Sequence, residues 1–134
     1  MSGSTNKVIL VGNLGKDPEI RTFANGGRVA SFSLATSESW KDKKTGEQKE
    51  KTEWHRIAVT GKAFLETAET LKKGDQVSLE GKLETRKWTD KEGIDHYATE
   101  IIVRPVYGVL TLLNSPAASR PKVETEPAAS YVLA

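Results

Sequence analysis

Three tryptophans stand among polar and charged neighbours, in Ser39-Trp40-Lys41, Glu53-Trp54-His55-Arg56 and Arg86-Lys87-Trp88-Thr89. A core tryptophan normally has apolar neighbours, because its ring must leave water on every side. Each of these rings instead has a basic residue within two positions and adjoins an alternating, strand-like run. Flat aromatic faces interleaved with positive charge suit a ligand that is itself flat and negative. Single-stranded nucleic acid is such a ligand, since its bases stack on rings and its phosphates pair with Lys and Arg. The competing assignment buries all three rings in a core or an interface; three in the same setting favour the ligand. Trp40, Trp54 and Trp88 are therefore the candidate base-stacking residues, and Lys43, Lys49, Arg56, Lys62, Arg86 and Lys87 the candidate phosphate contacts. Stacking one base on a ring is worth about 1–3 kcal/mol and tolerates any sequence. Counterion release on phosphate pairing makes such binding fall steeply with salt.

Other chemistries find no support. Gly12-Asn-Leu-Gly15-Lys16-Asp17 partly resembles a phosphate-binding loop. It has only two residues between its glycines, and Asp17 stands where Ser or Thr should hold magnesium. A structural turn after a strand is the better assignment. Gly61-Lys62 lacks an upstream glycine at the right spacing. The two histidines, His55 and His96, are too few for a metal cage, and no cysteine is present to supply a thiolate, a disulfide or a zinc ribbon. His55 falls on the inward face of its strand, as a core or subunit-interface histidine would. His96 flanks a turn and is expected to be solvated. Asp90 and Glu92 sit on a turn with a lysine between them and face no nucleophile. The sequence implies no catalytic residue, no metal and no cofactor.

At 134 residues, with 37% apolar and 28% charged residues, the chain supports one domain and a tail. A net charge of +2 permits nucleic-acid binding without demanding it, so affinity must come from where charge is placed. Basic residues gather at Lys41, Lys43, Lys44, Lys49 and Lys51, between two of the tryptophans, although acidic residues are mixed among them. No apolar run reaches membrane-spanning length, and Met1-Ser-Gly-Ser-Thr-Asn6 has neither a signal-peptide core nor transit-peptide arginines. The expected location is cytoplasmic and nucleoid-associated, with no membrane partner.

The elements that must position these residues are mostly strands. Lys7-Val-Ile-Leu-Val-Gly12 is an apolar run of β-formers, expected to be covered on both faces. Asn25-Gly26-Gly27 signals a hairpin joining 19–24 to a longer strand from Arg28 to about Trp40. Residues 41–52 are polar with Gly46 at their centre, and suggest an extended hairpin loop. From Glu53 to Thr60 alternation is clear: His55, Ile57 and Val59 share one face, Trp54, Arg56, Ala58 and Thr60 the other. Lys62 to Lys73 is the one convincing helix, with Ala63, Leu65, Ala68 and Leu71 as its stripe and Gly74 as its stop. A strand follows from Gln76 to Trp88, with Val77, Leu79 and Leu83 inward and Lys82, Arg86 and Trp88 outward. After a turn over 89–93 the chain returns from His96 to Arg104, and 106–113 extends this sheet or covers an edge.

Three strands, a helix, then two more strands predict an all-β fold with one helix: the OB-fold, a five-stranded Greek-key barrel that binds oligonucleotides on strand faces and loops. Another small barrel or a sandwich is the alternative. Residues 1–113 form the predicted binding domain. Residues 114–134, rich in Pro, Ala and Ser, form a predicted disordered tail.

Several blocks are similar to one family. Residues 6–18, Asn25-Gly-Gly27, Leu34-Ala-Thr-Ser-Glu-Ser-Trp40, Thr52-Glu-Trp-His-Arg56 and Leu83-Glu-Thr-Arg-Lys-Trp-Thr-Asp90 closely resemble bacterial-type single-stranded DNA-binding proteins, in order across 5–113. The resemblance implies an OB barrel and a homotetramer that coats single-stranded DNA during replication, recombination and repair. It implies base stacking by Trp40, Trp54 and Trp88, a subunit-interface position for His55, and a 41–52 loop that tracks the DNA backbone. This chain departs from the family at Thr60, where members often carry a fourth stacking residue, a phenylalanine. It also ends Pro127-Ala-Ala-Ser-Tyr-Val-Leu-Ala134, with Arg120 and Lys122 offsetting Glu124 and Glu126, where members commonly end in aspartates and Ile-Pro-Phe. Replication and repair proteins stay open as partners, although this ending does not match the acidic tip through which family members recruit them. The alternative function is a dimeric OB-fold replication-accessory adaptor of primosome type.

Overall fold

The structure, a computed structural model, describes residues 3–116. Seven strands and one helix follow one another as β1 (Val8–Leu14), β2 (Glu19–Thr22), β3 (Arg28–Lys41), β4 (Gln48–Val59), α1 (Lys62–Thr70), β5 (Gln76–Thr89), β6 (Asp95–Val103) and β7 (Val109–Asn114). Neighbouring strands run β1-β3-β4-β6-β5, and β5 pairs again with β1 from Val8↔Gly81 to Asn13↔Gln76. That last pairing closes a five-stranded barrel, the OB-fold. Closure covers most of the free edge that an open sheet would present, but β1 from Val8 to Gly12 pairs with β5 alone. β2 hangs on β3 as a short hairpin, and β7 pairs with the outer edge of β5.

The inward parity of each strand supplies the core. Phe32 and Leu34 of β3 lie opposite Ile57 and His55 of β4. Val77 and Leu79 of β5, and Ile101 and Val103 of β6, complete the cluster, which α1 enters with Leu65, Ala68 and Leu71. Each of the larger side chains, Ala68 apart, contributes about 1.5–3 kcal/mol by leaving water. Gly12 sits where β1 meets β3: a Cβ there would lie 2.2 Å from the Ala35 carbonyl oxygen. Only glycine lets the two backbones approach closely enough to close the barrel on that side.

Several elements differ from the sequence expectation. β1 is covered on one face, not two: Gly12 and Leu14 are buried, while Ile9 and Val11 are 61% and 49% exposed. Its apolar run reflects a second face that this chain alone leaves open. The polar stretch 41–52 is not a long loop. β3 and β4 stay in register out to Lys41↔Gln48, and only 42–47 turns. Cross-strand polar pairs hold it, including a 2.9 Å hydrogen bond between the Ser37 and Thr52 hydroxyls. α1 stops at Thr70, because Leu71 turns extended (ψ 149°) and is buried. Lys72 and Lys73 therefore follow the helix and do not occupy its last turn. Leu83 keeps the parity of Leu79 but lies beyond the barrel wall and is exposed. β2 ends at Thr22, two residues short of the predicted strand end. Residue 114 still belongs to β7, and the tail at 117–134 lies outside the described residues.

Asp75 is the one fully buried polar residue among those described, and nothing in the sequence pattern marks it. Its carboxylate accepts from the Lys72 backbone N–H (2.9 Å) and the Ser115 hydroxyl (2.7 Å). It thereby ties the end of α1 to the end of β7.

Candidate nucleic-acid interface

Two antiparallel ribbons extend past the barrel wall. β3 and β4 pair with no other strand beyond Ala35 and Trp54, and β5 pairs only with β6 beyond Leu83. The first ribbon exposes both surfaces; on the second, β5 is exposed beyond Lys82, while His96, Ala98 and Glu100 of β6 are half-buried on the Trp88 face. The three tryptophans lie on these ribbons or at their roots.

Trp54 stands at the root of the first ribbon, opposite Ala35, and two register steps from the Ser33↔Arg56 pair on the same face. Its ring is 60% exposed. It rests on a floor of small residues. A Cβ on Gly15 would come within 2.5 Å of the Trp54 ring. The loop carrying Gly15 is fixed by a hydrogen bond from its N–H to the Ser33 carbonyl (3.0 Å) and by Asp17 accepting from the Lys73 N–H (2.8 Å). Within the Gly12–Asp17 motif, Gly12 to Leu14 complete β1, and the bend that follows at Gly15 seats this ring. Arg56 is exposed on the same strand face and is in no ion pair among the described residues.

Trp40 lies near the tip of that ribbon, opposite Lys49. Register without a bulge puts it on the face of Thr36 and Glu38, opposite to Trp54. The structure therefore does not gather these two rings on one face. A strand that meets both must pass round the ribbon or follow its twist, which is large in two-stranded ribbons. Lys43 occupies the turn, exposed, and Lys49 leans on Glu47 at 3.7 Å.

Trp88 lies on the second ribbon, directly opposite His96. The two rings stack with centroids 4.3 Å apart and planes 18° off parallel. His96 Nε2 donates to Asp90 Oδ2 at 2.7 Å. Asp90 also accepts from the backbone N–H groups of Glu92 and Ile94. The His96 hydrogen bond, then that from Ile94, holds the Asp90 carboxyl below the usual aspartate value. His96 is thus not a simply solvated residue, since its ring is engaged on one face and at one nitrogen. Sequence reasoning missed this pair, though Trp88 and His96 are equidistant from Glu92 at the turn, and counting back from the turn would have found them.

Arg86, on the Trp88 face, grips Glu100 with two hydrogen bonds of 3.1 and 3.5 Å, which raise its already high pKa. Lys87 points to the other face beside Tyr97 and pairs with Asp95 at 3.4 Å. Lys62 is exposed at the start of α1. Of the six candidate phosphate contacts, Lys43, Arg56 and Lys62 are in no ion pair among the described residues; Lys49, Arg86 and Lys87 would exchange a carboxylate for a phosphate. His55 is half-buried opposite Leu34, and its Nε2 shares a 2.9 Å hydrogen bond with the Thr36 hydroxyl. Thr60, just past β4, is half-buried and donates its N–H to Val103.

A barrel of this kind, with exposed indoles on two ribbons where cations and carboxylates are interspersed, defines an OB-fold nucleic-acid binder. The model of the single-strand binding protein family matches residues 5–109, and the chain belongs to that family. It is similar to the Plasmodium falciparum SSB in complex with ssDNA, with 40% identity over 85% of this chain and 99% of the other and a TM-score of 0.75. It is also similar to a deletion mutant of the single-stranded DNA binding protein from Thermus aquaticus, with 25% identity and a TM-score of 0.67, over 84% of this chain and 52% of the other.

Proposed function

We propose that this protein coats single-stranded DNA, with little sequence preference, by stacking bases on Trp40, Trp54 and Trp88. Lys43, Lys49, Arg56, Lys62, Arg86 and Lys87 pair with its phosphates, and the protein acts as a non-enzymatic homotetramer in replication, recombination and repair. One observation carries the reading: three indoles, 45–60% exposed, lie on or at the root of cation-bearing ribbons in a chain of the single-strand binding family. Burying such a ring in water-free packing is worth several kcal/mol, so leaving three exposed is costly without a ligand. The Plasmodium falciparum relative is in complex with ssDNA, which supports the same ligand class here.

The tetramer finds support in β1. Its edge from Val8 to Gly12 pairs with β5 on one side and with no strand on the other among the described residues, and its outer face exposes Ile9 and Val11. An open edge with apolar residues is a surface for another copy.

Titration with oligo(dT) at low salt tests the reading through tryptophan fluorescence. Strong quenching, weakened steeply by added salt, is the expected result. Unchanged fluorescence together with no mobility shift of the oligonucleotide would sink it.

A further inference from the structure

We infer that His96 is a positioning residue for Trp88 and that it makes single-strand binding by the second ribbon rise as pH falls. This rests on the reading that Trp88 stacks a base.

The geometry has three links. The indole of Trp88 has an imidazole against one face, at 4.3 Å, so only its other face is open to a base. The imidazole is fixed in turn by Asp90, at 2.7 Å, and Asp90 is fixed by backbone N–H groups of its own turn. A base docking on Trp88 therefore meets a ring whose orientation is already set, and less rotamer freedom is lost on binding.

An imidazole changes charge between about pH 5 and 8, and it is the only side chain that ordinarily does so. The charged groups facing His96 are few. Asp90 faces it from the turn; on the Trp88 face of the two strands lie Arg86 and Glu100, paired with each other, and beyond them Glu84 and Lys82. Lys87 and Asp95 pair on the opposite face, and Lys91 and Glu92 lie on the turn. Asp90 stays ionised across this range, because its carboxyl is held below the ordinary aspartate value. The imidazolium therefore gains an ion pair with Asp90 and a cation–π contact with Trp88 that the neutral ring lacks. Both hold Trp88 more firmly, and the added positive charge attracts the phosphates of a strand whose base stacks on Trp88. The bound state thus favours the protonated ring, and binding takes up a proton. By linkage, affinity rises as pH falls through the imidazole range.

The sign distinguishes this from a structural role. A histidine that merely packs would give the same loss at every pH when replaced.

Single-strand affinity is to be measured from pH 8 to pH 5.5 at fixed salt, for the wild type, His96→Gln and Asp90→Asn. The wild type should gain about two- to fivefold more than His96→Gln over that range, the size of an exposed cation–π contact. Equal pH slopes in the two proteins would overturn the proposal. A DNA-free readout runs alongside, in a protein whose only indole is Trp88 (Trp40→Phe with Trp54→Phe). Its fluorescence should titrate with pH, and His96→Gln should abolish that titration; a titration that survives His96→Gln also overturns the proposal. Trp88→Ala separates the two ideas. If it leaves oligo(dT) affinity unchanged, base stacking at Trp88 fails. If it weakens affinity while the wild type and His96→Gln keep equal slopes, stacking stands and only the role of His96 fails.

Discussion

A single exposed ring shows how sequence choices at several positions converge. Trp54 projects because its neighbours cannot cover it: Ala35 lies across the strand pair, Ser33 two steps along, and Gly15 beneath. Trp54→Ala should cost about 1–3 kcal/mol of single-strand affinity, alike for all base compositions, with thermal stability nearly unchanged. Comparing oligo(dT), oligo(dA) and mixed sequence checks this; a loss confined to one base would contradict stacking. Gly15→Ala tests the seat itself. The new methyl would collide with the ring edge, and an exposed side chain can yield, so the fold should survive while the ring tilts. Affinity should fall several-fold, short of the Trp54→Ala loss, and a melting curve will show whether stability is spared. Thr60 follows Trp54 at an even spacing and is half-buried just past the end of the same strand. Thr60→Phe should add a platform and tighten oligo(dT) binding by up to about tenfold, within the range for one stacked base. No gain would mean that bases do not pass that position.

At the scale of elements, the sequence is legible wherever a strand faces the core. From Glu53 to Val59, period-two alternation gives the faces of His55, Ile57 and Trp54 correctly, because one side must be dry and the other need not be. The same argument is silent where a ribbon leaves the core. Residues 41–52 carry no apolar period, so nothing in their pattern distinguishes a loop from a paired ribbon; the register from Thr36↔Glu53 to Lys41↔Gln48 is set by inheritance from the barrel end. That register also puts Trp40 on the face away from Trp54, which composition could not reveal. The stacking of Trp88 on His96 depends likewise on pairing across a turn. The tip of the β3–β4 ribbon should add charge to the stacking that Trp40 and Trp54 supply. Lys43→Gln combined with Lys49→Gln should lower the slope of log affinity against log salt by about 1.4, since each lost single-strand phosphate contact removes about 0.7. Maximal tryptophan quenching should be unaltered, because both ribbons keep their indoles. An unchanged slope would remove these two lysines from the phosphate path.

The whole molecule contains one feature that a lone barrel does not explain. Along β1, β5 and β7 the outer face carries Ile9 beside Glu80 and Val109, then Val11 beside Ser78 and Thr111. Ile9 and Val11 belong to the run whose apolar character, read from sequence, pointed to burial on both faces. That expectation fails for the isolated chain and becomes consistent if a second copy supplies the other cover. Closed homo-oligomers commonly use two-fold interfaces, in which a residue near the axis meets its own counterpart. A charge introduced there is set against an identical charge. Val11→Lys should therefore leave the barrel intact, because the side chain points to solvent in the single chain, and such surface changes shift stability by about 0.5 kcal/mol or less. It should nevertheless dissociate the assembly. Light scattering gives the test: wild type near four times the 14.7 kDa of one chain, and Val11→Lys at half or a quarter of that mass. A Val11→Lys protein that keeps the full mass would free β1 of any interface role. A wild-type mass of two chains would instead favour the dimeric adaptor. Because linked sites act at high effective concentration, the dissociated variant should also bind long oligo(dT) far more weakly than the assembly, while its affinity for an oligomer that fits one chain stays the same.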